Sequence, residues 1–233
     1  MNIRKLTAVL GAVAVIINFA ITPVKAGTNF DQGFGIAFGF KATGANVDTS
    51  GSETLKSNST VTKASRSESA ALPSGFVELL LPFGFVVGAD FIPGSAQLGE
   101  GTNVRIDKIT GGGGTDTATT VTNKAKAEIS DHTIYYLESP AIFGFYIKGG
   151  VVEADLKTDE SLGTGATYGN ASVDGNMFGV GFKGDIGEHM FFKLEGITID
   201  YDDVSLSSSS DVASTVAAES DADAVSLSVG FKF

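Results

Sequence analysis

Eight segments of this chain alternate apolar residues with small or polar ones, and the stretches joining them are by turns long and short. The first, "GFGIAFGFKAT" at 33–43, puts Phe34, Ile36, Phe38 and Phe40 on one face and Gly33, Gly35, Ala37 and Gly39 on the other. A period of two marks a strand with one greasy face. Similar segments follow at 69–81, 85–91, 124–137, 144–156, 173–185, 190–201 and 225–233. Asp131 spoils the alternation of 124–137, and Lys148 and Glu153 fall on opposite faces of 144–156, so the parity of these two strands stays open. Long tracts rich in Ser, Thr, Gly and Asp lie at 44–68, 93–120, 157–172 and 202–223; the other connections are short, such as "PFG" at 82–84 and "IGEH" at 186–189. A barrel crossing a membrane has this asymmetry, with tight turns on one side and long loops on the other. The expected fold is all-β: an eight-stranded antiparallel up-and-down transmembrane β-barrel with long external loops and short periplasmic turns.

Residue size says which way the greasy face points. Eight strands enclose an interior barely wide enough for side chains. Phe on one face of strand after strand would overfill it. The opposite face carries glycines and four charged residues, Asp90, Lys183, Lys193 and Glu195. These four are candidate lumen ion pairs, because charges inside a barrel need partners. A plugged lumen implies no open channel. A narrow gated pore for small solutes or ions is the alternative. A third reading, a secreted soluble barrel binding apolar ligands, requires the Phe face to point inward.

The first 26 residues support export. Arg4 and Lys5 precede an apolar run from Leu6 to Ile21, and small residues close the segment at Ala26. That is the layout of a cleaved secretory signal peptide (1–26), leaving 27–233 as one barrel domain. The formal net charge is −11, and loss of Arg4, Lys5 and Lys25 leaves the remainder more acidic still. Such a surface does not suit nucleic acid, whose phosphates call for basic patches. The chain has no Cys, so its stability must come from core and sheet closure.

The closing "VSLSVGFKF" carries Val225, Leu227, Val229, Phe231 and Phe233 at alternate positions. This ending resembles the assembly signal of bacterial outer-membrane β-barrel proteins, and the strand count is similar to the small barrels related to outer membrane protein A and the opacity proteins. The resemblance implies location in the bacterial outer membrane, contact with its lipid and lipopolysaccharide, and recognition of those five residues by the barrel-assembly machinery during biogenesis. The chain departs from the family in having no Trp. Interfacial girdles are therefore expected from Phe and Tyr, for example Tyr135, Tyr136, Tyr146 and Tyr201.

Little in the chain points to catalysis. "EISDH" gathers Glu128, Ser130, Asp131 and His132, but residues two apart on one strand face stand ~7 Å apart, too far for a Ser–His hydrogen bond. His189 falls in a turn. "GGGG" at 111–114 lacks the Lys and helix of a phosphate loop. The acidic stretch 200–223 lacks calcium-loop spacing. No cofactor or metal is expected. The expected role is non-enzymatic: a structural or surface-interaction barrel meeting an unknown ligand at loops 44–68, 93–120, 157–172 or 202–223.

Overall fold

The computed structural model describes residues 34–55, 59, 61–110, 116–163, 167–209 and 214–233. The signal segment and the Gly run at 111–114 lie outside them. Eight antiparallel strands close into a ring in sequence order: β1 (Gly35–Leu55), β2 (Val61–Leu80), β3 (Val86–Thr110), β4 (Asp116–Glu138), β5 (Phe145–Ser161), β6 (Ala171–Ile186), β7 (Met190–Ser207) and β8 (Ser214–Lys232). Closure joins β8 to β1, with Phe38 opposite Phe231 and Phe40 opposite Val229. The last residue completes the ladder: Phe233 N–H donates to Ile36 O at 2.9 Å, and Ile36 N–H donates to Phe233 O at 3.1 Å.

The greasy faces point outward. Phe34, Phe40, Val77, Phe91, Leu137, Phe145 and Phe178 are all exposed, Phe40 at 79%. This excludes the soluble barrel with Phe inside. A continuous apolar belt around a closed ring is the outer surface expected in lipid, where closure leaves no sheet edge with unsatisfied backbone groups.

Two turns share a tight geometry. Phe83 (φ 64°) precedes Gly84 (φ 82°), and Phe143 (φ 54°) precedes Gly144 (φ 85°). Consecutive positive φ angles suit the right-handed twist of a hairpin. A bulky residue is unusual there, and both Phe rings stand exposed at the short-turn rim of the belt.

Three of the four tracts expected as irregular loops, 44–68, 93–120 and 202–223, are largely strand. Residues 44–55 continue β1, 93–110 continue β3, and 202–207 with 214–223 belong to β7 and β8. They lack an apolar period because both faces meet water there: residues 61–69 of β2 are exposed throughout. Backbone pairing holds them without any pattern that a sequence reading detects. The open parities also resolve. Asp131 takes φ 53° at a register shift between Ser130 and Thr133, a bulge that turns it outward and His132 inward. On β5, Lys148 faces the lumen and Glu153 faces out.

Candidate functional site

Inward-facing residues form three layers along the barrel axis. At the short-turn end Ala37, Phe76 and Phe191 make an apolar floor, with the two rings 6.1 Å apart.

Above it lies a buried charge network. Four lysines (Lys41, Lys148, Lys183, Lys193) face four acids (Glu78, Asp90, Glu138, Glu195), so the layer is neutral overall. Lys193 bridges Glu78 and Glu138, and Lys41 pairs with Asp90. Lys41 also reaches Glu195 at 3.1 Å, Lys148 reaches Glu195 at 3.0 Å, and Lys183 reaches Glu138 at 3.3 Å. Tyr136 donates to Glu78 at 2.7 Å, and Tyr146 donates to Glu195 at 2.9 Å. The Lys148 ammonium sits 3.5 Å from the centre of the Tyr136 ring. Ions moved out of water need this density of partners to offset their desolvation.

Asp90, Lys183, Lys193 and Glu195 thus all lie in this layer, though Asp90 and Lys183 do not pair with each other. Lys41, Glu78, Glu138 and Lys148 complete it. Lys41 follows directly from continuing the inward parity of β1, and Glu78 lies on the face of β2 opposite exposed Val77 and Leu79. Lys148 was hidden by the open parity of β5, and Glu138 by its place at a turn.

Tyr136 and Tyr146, expected in an interfacial girdle, are buried inside the barrel instead. Tyr201 also points inward, half-buried, and its hydroxyl lies 2.8 Å from His132 Nε2. Tyr135 alone of the four is an exposed outward residue. The cause is room: glycines on neighbouring strands clear space for inward rings. A methyl added at Gly88 would stand 2.4 Å from Tyr136 Cζ, and one at Gly181 would stand 2.4 Å from Tyr146 Cζ.

The third layer is apolar. Ile134, Val152, Met177, Ile197, Ile199 and Ala224 pack across the lumen above the charges. The His132–Tyr201 hydrogen bond borders it. Beyond opens an acidic mouth of about 530 Å³, lined by Asp48, Asp200, Asp203, Glu219 and Asp221 with Arg66 and Tyr201. The described residues contain no cluster of three or more His, Cys or acidic groups arranged to hold a metal ion. Ser130 Oγ contacts Asp131, and His132 contacts Tyr201, so the two do not form a nucleophile–base pair. His189 is exposed in the β6–β7 turn and stacks on Phe233 at 6.2 Å.

The wall beside the apolar layer is incomplete. β2 and β3 pair only from Gly75–Leu80 to Val86–Phe91. Above that, β2 continues on β1 and β3 continues on β4, leaving a seam between them. The lips carry Leu72 and Ile92, half-buried, on the lumen side, and Ala71, Pro73 and Pro93, exposed, on the outer side. Proline has no N–H to offer a ladder. Gly94 at φ 90° and a register shift between Ile92 and Ser95 steer β3 away. The outward apolar belt ends at the same height, at Phe91 and Val77.

The five terminal residues Val225, Leu227, Val229, Phe231 and Phe233 occupy the outward face of β8 and the strand's end.

No family model matches the chain, and no curated protein matches it. Among the solved structures similar to it, two share its fold over most of their length. The crystal structure of outer membrane protein OprG from Pseudomonas aeruginosa is 15% identical, with a TM-score of 0.52, covering 88% of this chain and 98% of that one. The structure of outer membrane protein AlkL, determined in lipid bilayers, is 14% identical, with a TM-score of 0.51, covering 93% and 97%. The eight-stranded ring is therefore the fold of small outer-membrane barrels.

Proposed function

We propose that this chain is an integral outer-membrane barrel that passes small apolar molecules from the external mouth into the lipid through the side of its wall. One observation carries the reading: the β2–β3 ladder stops at Gly75 and Phe91, beside a lumen layer that is apolar above a neutral, fully bridged charge layer. An apolar solute cannot cross the charges without desolvating them. The apolar lips of the seam offer it a way out instead.

The packed layer must yield to a guest. Met177 is unbranched and adaptable, and Ala45, Ala222 and Ala224 leave the β1–β8 side thin. Unpaired strand edges are costly in hydrocarbon. A seam that begins where the apolar belt ends avoids that cost while still touching the outer leaflet. A purely structural role gives no account of the seam. The narrow-pore reading is disfavoured by the bridged charges, and a ligand at the polar tracts draws less support now that three of the four largely continue the barrel wall.

The test compares two fluxes in one preparation. Protein reconstituted in lipid vesicles should speed the uptake of octane from the external phase, while planar bilayers containing it show little ionic conductance. Large stable conductance, or octane uptake equal to protein-free vesicles, would reject the proposal.

A further inference from the structure

We infer that the foot of the seam is a binding site for a neutral, hydroxyl-bearing apolar molecule, its hydroxyl held by Ser74, Asp90 and His132. This rests on the side route proposed above and names the class of molecule that uses it. The three residues come from three strands. Phe76 pairs with Asp90 across β2–β3, so Ser74 is the first inward residue beyond the end of that ladder. Asp90 lies opposite Ile134 and Ile92 opposite His132, which sets Asp90 and His132 diagonally on the lumen face of β3 and β4. Diagonal neighbours stand ~7–8 Å apart at their backbones, close enough for two side chains to meet one small group.

All three are buried, at 5%, 2% and 7% exposure. Each keeps one buried polar atom without a hydrogen-bond partner: Ser74 Oγ, Asp90 Oδ1 and His132 Nδ1. Their other polar atoms are engaged, Asp90 Oδ2 by Lys41 and His132 Nε2 by Tyr201. A buried polar group left unmatched costs ~1–3 kcal/mol, and the strand register sets these three on adjoining inward positions of β2, β3 and β4.

The chemistry of the guest follows from what is left over. Asp90 Oδ1 accepts only. Ser74 Oγ–H donates, and His132 donates from Nδ1 when Nε2 accepts the Tyr201 proton. A hydroxyl both donates and accepts, so it satisfies an acceptor and a donor together. The surrounding charges, four lysines against four acids, are already balanced. A carboxylate or an ammonium would unbalance them in a buried setting. The body of the guest would lie along Ile134, Met177 and the seam lips Leu72 and Ile92.

The experiment uses the two methionines outside the signal segment, Met177 and Met190. Methyl-13C-Met protein in micelles is titrated with 1-octanol, octane and octanoate, reading Met177 for binding and Met190, at the opposite end, as control. Octanol should bind about tenfold more tightly than octane or octanoate, a factor equal to ~1.4 kcal/mol. In Ser74→Ala/His132→Phe, which leaves only the Asp90 acceptor, its preference over octane should fall severalfold. Equal binding of octanol and octane by the wild type, or a preference undiminished in the double variant, overturns the site and leaves water as the partner of the three atoms. If the double variant does not fold, Ser74→Ala and the wild-type ligand series decide. Octane uptake by vesicles is read separately. Uptake without an octanol preference removes the site and keeps the route; an octanol preference without uptake removes the route and keeps the site.

Discussion

Tyr146 lies over Gly181 on the neighbouring strand, and its hydroxyl donates to Glu195 at 2.9 Å. The glycine lets the ring lie flat against the wall, and the ring carries a donor to the most heavily shared carboxylate of the lumen. Gly88 and Tyr136 repeat the arrangement toward Glu78. Gly181→Ala should displace the ring and strain the Glu195 contacts, costing ~1–3 kcal/mol as overpacking does. Urea unfolding in micelles measures it. A midpoint equal to wild type would mean that the ring's placement does not depend on the glycine.

Lys193 is the central cation of the plug, bridging Glu78 and Glu138. Lys193→Met leaves two buried carboxylates short of a partner and should cost ~3–5 kcal/mol. Replacing Lys193 and Glu78 together by apolar residues of similar size keeps the layer neutral and leaves Glu138 paired with Lys183, and should recover much of that loss. Folding measured by heat-modifiable gel mobility and urea midpoint distinguishes the two. A double variant no more stable than the single one would show that the bridges themselves, and not the unpaired charge, carry the energy.

The alternation of the eight segments was enough to foresee the ring, its strand order and the outward Phe belt, because a membrane imposes period two on every spanning strand. The same logic placed Lys193 and Glu195 inside. It did not foresee Tyr136 and Tyr146 inside, since a Tyr suits either face and the deciding factor, a Gly on the neighbouring strand, depends on register. The seam was equally hidden: Pro73 and Pro93 stand in the sequence, but the loss of pairing between β2 and β3 is a relation between strands. His132 was noticed for a grouping with Ser130 that the bulge at Asp131 breaks.

Phe231 and Phe233 separate burial from recognition. Phe231 lies against β1, opposite Phe38, and Phe233 stacks on Phe38 at 5.8 Å. Phe231→Ala and deletion of Phe233 each remove an apolar ring worth ~1.5–3 kcal/mol when fully buried. As an assembly mark, Phe233 should matter more in cells: its deletion should sharply reduce insertion while the purified chain still folds from urea into micelles. Equal insertion of both variants in cells would leave burial as the only role.

The side route is tested most directly by stapling the seam. The chain has no cysteine, so Ala71→Cys with Pro93→Cys places a unique thiol pair on the exposed outer lips, to be joined by a bifunctional maleimide with a reducible linker. Octane uptake by vesicles containing the doubly substituted protein is then followed before stapling, after it, and after cleavage of the linker. The seam reading predicts that uptake falls to the protein-free rate on stapling and returns on reduction. Uptake that continues unchanged with the lips held together would contradict it.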